Sequence, residues 1–215
     1  MLAFHGIARA ADAPAGGKAF TVASLHLEQN ATDGDFEIVL EALAEQGLAT
    51  LTVSAPDGRV IIDYKSPAGD LGMRQFRFET PEPEDLAALK AVYPEGVYTF
   101  GGTTGGGAAL QGKASLSHTL PAPSSVVTPS GARTVGLEDV EIAWTPVKGA
   151  KGYILEIDQA ELGINITSTV PASITSFTVP DAVLRAGRKY TLAIGTVGEN
   201  GNTSFVETAF STRAK

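Results

Sequence analysis

The chain has 215 residues, no cysteine, and 24 acidic against 16 basic residues, for a formal net charge of −8. Those facts exclude disulfides and thiolate metal sites, and the acidity, with no Lys/Arg cluster interleaved with aromatics, argues against nucleic acid and anionic membranes as partners. The length suggests two domains of about 100 residues, and no apolar run is long enough to span a bilayer.

The charge is unevenly placed. Residues 19–121 hold six basic and fourteen acidic side chains, whereas residues 132–215 hold eight and nine. Residues 1–18 are expected to be a signal remnant or a disordered tail. Their short apolar run and Ala8-Arg9-Ala10 match the end of a secretory signal, although His5 interrupts the run and no basic segment precedes it. A signal would place the protein in the periplasm or outside the cell.

From Phe20 onward strand patterns dominate. Residues 20–25 and 36–40 carry apolar side chains at every second position, as expected of strands with one wet face. Between them Asp33, Asp35 and Glu37 place three carboxylates in five residues, an oxygen-rich turn that is a calcium candidate, and Asp57 would be needed to complete the shell. Asp33-Gly34 is equally an ordinary turn. Residues 48–54 and 60–64 flank Pro56-Asp57-Gly58, the strongest hairpin signal in the chain. Residues 73–79 alternate again, with Phe76 and Phe78 expected inward and Arg77 and Glu79 outward. One helix is expected over residues 83–93, opened by Pro83, Glu84 and Asp85 and burying Leu86, Leu89, Val92 and Tyr93 along one side.

Residues 97–100 and 108–116 then pair across a glycine-rich turn. Gly101, Gly102, Thr103, Thr104, Gly105, Gly106 and Gly107 are read as a mobile hairpin loop and as the first candidate contact surface. The overlapping run from Gly107 to Ala114 matches a phosphate-binding loop except at its last position. There alanine replaces the hydroxyl that would hold magnesium, and the surrounding pattern is a strand rather than a strand leading into a helix. Residues 122–131, rich in Pro and Ser, are read as a stiff linker after a first domain at 19–121.

Residues 132–215 carry a more specific pattern. Trp144 lies in Val140-Glu141-Ile142-Ala143-Trp144, Tyr153 opens Tyr153-Ile154-Leu155-Glu156-Ile157, and Leu184, Gly187 and Tyr190 form a Leu-x-x-Gly-x-x-Tyr corner. This arrangement resembles a fibronectin type III domain, the first two runs as strands B and C, residues 177–179 as E and 192–197 as F. The resemblance implies that Trp144, Tyr153, Leu184, Gly187 and Tyr190 are structural core, with the Tyr190 hydroxyl bonded to backbone a few residues upstream. Ala186 stands where the family usually has proline, and no Arg-Gly-Asp tripeptide is present. The first domain looks like an immunoglobulin-like sandwich, and the tandem resembles bacterial envelope proteins. The expected class is therefore all-β, two β-sandwiches in series with one short helix in the first.

Chemistry is sparse. His5, His26 and His118 form no ligand pair, and Ser117 and His118, adjacent on a strand, point to opposite faces. Asn30, Asn165 and Asn202 match the glycosylation acceptor pattern, expected to be incidental. The sequence suggests a non-catalytic extracytoplasmic binding, adhesion or scaffold protein, without cofactor unless calcium binds, contacting a protein or glycan surface. The alternative is an accessory module of a polysaccharide-acting system, or a small hydrolase with its site at the domain junction.

Overall fold

A computed structural model describes residues 18–66, 72–83, 85–129 and 133–214. The signal-like start lies outside the described residues, Lys18 excepted. The chain divides into two compact units, the first made of residues 1–27 and 36–118, the second of residues 28–35 and 119–215. Among the described residues the order is all-β apart from one short helix and one 3-10 turn.

The first unit is built on one long strand. Its elements are β1 (Lys18–Ala19), β2 (Val22–Asn30), β3 (Asp35–Ser54), β4 (Val60–Lys65), β5 (Met73–Glu79), α1 (Leu86–Val92), β6 (Gly96–Thr104) and β7 (Ala109–Leu116). The segments expected as separate strands at 36–40 and 48–54 are both parts of β3, which shifts register between Leu43 and Leu48 rather than ending. From Val39 to Leu48 β3 pairs with β5, from Leu48 to Ser54 with β6, and from Thr50 to Ser54 with β4. Apolar side chains on β2, β3, β6 and β7, among them Leu27, Leu40, Leu51, Val53, Tyr98, Phe100 and Leu110, are buried.

The Asp57-Gly58 hairpin forms as its sequence demands, with Val53 opposite Ile62 and Gly58 at φ +86°, where a Cβ would be strained. The helix is shorter than expected. Asp85 caps it by accepting from the Ala87 and Ala88 amides at 2.9 and 3.3 Å, and of the side chains expected along its inner side Leu89 is buried while Val92 is half exposed. The inward reading of Phe76 and Phe78 holds for direction but not for coverage. They stand opposite buried Ala42 and Leu40, yet β5 borders β3 alone among the described residues, and Phe78 remains exposed.

The second unit holds β8 (Val126–Thr128), β9 (Thr134–Val135), β10 (Glu141–Trp144), β11 (Gly152–Gln159), a 3-10 turn (Ala160–Leu162), β12 (Ile164–Pro171), β13 (Ser176–Thr178), β14 (Lys189–Val197) and β15 (Thr203–Thr212). A three-stranded sheet runs β13-β10-β8, and a second sheet runs β15-β14-β11-β12. Between them lies one core of Val140, Ile142, Trp144, Tyr153, Leu155, Ile157, Val179, Leu184, Tyr190, Leu192, Ile194 and Phe210. The pairing of β10 with β13 and of β11 with β14 reproduces the expected partition of strands B and E against C and F.

Two boundaries differ from expectation. Residues 122–131 were expected to be a linker, but β8 lies inside that span and pairs with β10. Side chains of the second unit hold the approach to it: Asn200 and Asn202 donate to the Thr119 carbonyl, Ser204 to that of Pro121, and Ser124 to that of Thr145. Proline in this run suppresses ladder donors without preventing an edge strand. The second difference lies at residues 28–35, expected within the first domain. The end of β2 pairs in parallel with β15, Thr203 opposite Glu28 and Phe205 opposite Asn30, and so belongs to the second unit.

Candidate functional site

The turn proposed for calcium begins with local bonding. The Asn30 side chain accepts from the Thr32 amide at 3.0 Å and donates to Asp33 at 3.0 Å, and the Gly34 amide closes the turn on the Asn30 carbonyl at 2.8 Å. The tip then engages β15: the Ala31 amide donates to the Phe205 carbonyl at 2.8 Å, and the Glu207 amide to the Thr32 hydroxyl at 2.8 Å. Asp33 is thus tied to a neighbouring amide and the tip completes a sheet edge. Among the described residues no group of three His, Asp or Glu side chains is placed to hold a metal ion, so the structure does not gather Asp33, Asp35 and Glu37 into one site.

The glycine-rich run is mostly strand. Gly101, Gly102, Thr103 and Thr104 belong to β6, paired with β3 on one side and β7 on the other, which corrects their reading as a mobile loop. A Cβ on Gly102 would sit 2.6 Å from the Thr50 carbonyl oxygen, so this glycine lets two backbones approach. Thr103 shares a 2.8 Å hydrogen bond with Thr50, and the buried Thr104 hydroxyl accepts from the Ala108 amide at 3.1 Å. The turn proper is Gly105, Gly106 and Gly107, anchored by the Gly105 amide on the Gly47 carbonyl at 2.9 Å.

A polar cluster that sequence reasoning missed gathers where α1 ends. The C-terminal carbonyls of a helix lack intrahelical partners and carry partial negative charge, so they attract donors and cations. Arg59 donates to the Val92 carbonyl at 2.7 Å, and the His118 Nε2 lies 2.8 Å from the Tyr93 carbonyl oxygen. Tyr98 donates its hydroxyl proton to the Pro94 carbonyl at 3.0 Å, and burial pushes its phenol up to about 12. Asp57 orients Arg59 through a 2.7 Å ion pair, and that hydrogen bond lowers the Asp57 carboxyl below the usual range. Glu95 accepts from the His118 amide, which is the main reason its own carboxyl is lowered. The cluster ties the β3–β4 hairpin, α1, β6 and the end of β7 together: Arg59, Tyr98 and His118 each reach a main-chain carbonyl, and Asp57 and Glu95 accept in turn from Arg59 and from the His118 amide. Its chemistry is that of a clamp.

In the second unit the proposed anchors are packed in the core. Trp144 is 3 % exposed and meets Tyr153 edge to face at 5.6 Å, which leaves no open ring for a sugar. Tyr153 and Tyr190 are fully buried, and each uses its phenol oxygen to accept a main-chain amide at 2.7 Å, from Val147 and from Arg185 respectively. Leu184 is buried, and Gly187 takes φ +66° with its amide on the Arg213 carbonyl. The acceptor candidate Asn202 is 1 % exposed with its amide spent on Thr119.

Among the solved structures that resemble this chain are fibronectin type III tandems and adhesin segments. A two-domain fibronectin type III segment of chicken tenascin is 16 % identical, with 86 % of this chain and 95 % of that one covered and a TM-score of 0.33. A structure described as concerning host cell surface retention of a 1.5-MDa bacterial ice-binding adhesin is 12 % identical, covering 90 % of this chain and 65 % of that one at 0.30. The BSP domain of a biofilm-associated protein is 17 % identical, with 91 % of this chain and 29 % of that one covered at 0.28. No family model and no curated protein matches the sequence. Among the described residues no helix is long and apolar enough to cross a membrane.

Proposed function

We propose that this chain is a non-catalytic binding, adhesion or scaffold module acting outside the cytoplasm, in a bacterial envelope or secreted from it, through the turns at the ends of its β-units. The observation that supports this reading most is where the polar side chains are spent. Arg59, Tyr98 and His118 bind main-chain oxygen, Glu95 binds a main-chain amide, and Trp144, Tyr153, Tyr190 and Phe210 of the second unit are consumed in its core. What such a build offers a partner is a rigid frame carrying exposed turns, and loops held on rigid frames are the usual carriers of recognition.

The turn at Gly105–Gly107 is the contact element to test. A Cβ on Gly106 meets nothing nearer than the Thr104 hydroxyl at 3.9 Å, so Gly106→Asp alters the tip without disturbing the frame. The chain is passed over arrays of glycans and immobilised surface proteins, and the same panel is assayed for turnover. Saturable binding without turnover, weakened by Gly106→Asp, is expected. Turnover abolished by a single substitution in either unit would overturn the reading.

A further inference from the structure

Strands β4 and β5 run end to end along one side of β3, and among the described residues each pairs with β3 alone. Six of the seven residues of β5 are exposed. Along this edge Tyr64 meets Phe76 edge to face at 4.7 Å, and Phe76 stacks on Phe78 at 5.7 Å with the rings 8° apart. The three rings stand opposite buried Leu51, Ala42 and Leu40, so they lie on the core side of the sheet. The row outruns the core beneath it, leaving Phe78 37 % exposed. An open edge with a bare apolar row is a template for strand pairing unless its charges oppose it.

The charges of β5 do not oppose pairing with a copy of itself. The strand reads Met73-Arg74-Gln75-Phe76-Arg77-Phe78-Glu79, with Phe76 at its centre. An antiparallel pair of two such strands in full overlap sets Phe76 opposite Phe76, Gln75 opposite Arg77, Arg74 opposite Phe78 and Met73 opposite Glu79. The facing pairs are aromatic on aromatic, cation on ring, cation on neutral amide, and carboxylate on neutral thioether; no like charges oppose each other, and the aromatic and cation–ring pairs are of the kind that stabilises a sheet. Moving the axis to Arg77 would face two guanidiniums, and moving it to Gln75 would shorten the overlap. Charge pattern, aromatic row and strand length therefore select the same register.

We propose that the open edge of β5 is a self-recognition site, where a second copy of this chain adds its own β5 antiparallel about Phe76. The contact is isologous, so two copies close it and no open fibre follows. It stands independently of the surface-binding reading, which concerns other parts of the chain.

The test uses the full chain in sedimentation velocity over a concentration series. Gln75 is exposed and its side chain faces Arg77 of the second copy twice by symmetry. Gln75→Glu is expected to tighten the dimer and Gln75→Arg to loosen it, the two differing by about tenfold or more in dissociation constant. Because the chain has no cysteine, Phe76→Cys gives a single thiol on the axis. Facing Cα atoms in a strand pair are about 4.5–5.5 Å apart, within disulfide reach, so mild oxidation should yield a covalent dimer, and Val97→Cys on β6 should not. Circular dichroism checks that each variant folds. A chain monomeric at every concentration overturns self-pairing and leaves the edge to a strand of another protein. A dimer indifferent to both Gln75 substitutions, or one that Phe76→Cys fails to crosslink, overturns it equally.

Discussion

At the scale of single residues, neighbouring glycines in β6 have opposite roles. A Cβ on Gly101 meets nothing within 4 Å, whereas one on Gly102 collides with the Thr50 carbonyl oxygen. Gly101→Ala is expected to be neutral or stabilising by up to about 1 kcal/mol, because alanine loses less backbone freedom on folding. Gly102→Ala is expected to cost about 1–3 kcal/mol, because backbone rather than a pliable side chain must yield. Urea melts of the pair check both signs, and equal midpoints would refute the close approach of β3 and β6. Tyr190 offers a second case. Tyr190→Phe keeps the ring stacked on Phe210 at 5.3 Å but strips the acceptor from the Arg185 amide, for an expected loss of about 1 kcal/mol in thermal melts.

At the scale of elements, the end of α1 depends on groups far away in sequence. Glu95 has its carboxyl lowered in the folded state, so its contribution is present above the usual carboxylate range and is lost as pH falls through the lowered value. Glu95→Gln should therefore reduce the melting temperature at pH 7, and the gap to the parent chain should close below about pH 4. A gap that persists at pH 3 would mean that shape, not charge, holds His118. This cluster was illegible in the sequence because its members, Asp57, Arg59, Glu95 and His118, lie on three separate segments and bond to backbone, which leaves no motif. Elements whose signals are local were legible: the Asp57-Gly58 turn, the alternation in β5 and the Leu184 to Tyr190 corner each carry their cause within a few residues. The alternation in β5 gave the direction of Phe76 and Phe78 correctly, yet periodicity knows nothing of where a core stops. The strand β8 hid behind prolines, and only the side chains that grip residues 119–124 reveal that this run is framework. The seven residues 101–107 were read as loop because glycine suits turns, but glycine also serves where two backbones crowd, and composition cannot separate these uses.

At the scale of the whole molecule, the division of the chain is not a simple cut. Residues 28–35 leave the first unit and complete the β15 edge of the second. The single tryptophan, Trp144, lies in the core of the second unit and reports its unfolding alone. Ala31→Pro deletes the amide that donates to the Phe205 carbonyl, more than a hundred residues away from that tryptophan in sequence. It is expected to lower the unfolding midpoint seen by Trp144 fluorescence, by about 1 kcal/mol or more in stability. An unchanged midpoint would show that the hairpin tip contributes nothing to the second unit.

The same tip sets a timetable. The Glu207 amide reaches the Thr32 hydroxyl across 175 residues of chain, and contacts of such span form late because the closure entropy must be met before they add anything. During synthesis the tip emerges long before β15, the strand it joins, so it waits with its edge unfilled until the second unit is nearly complete. A ribosome that stops short of residue 203 would release a chain whose early hairpin still lacks its partner. Completion of the second unit is thus registered physically at a turn laid down with the strands of the first.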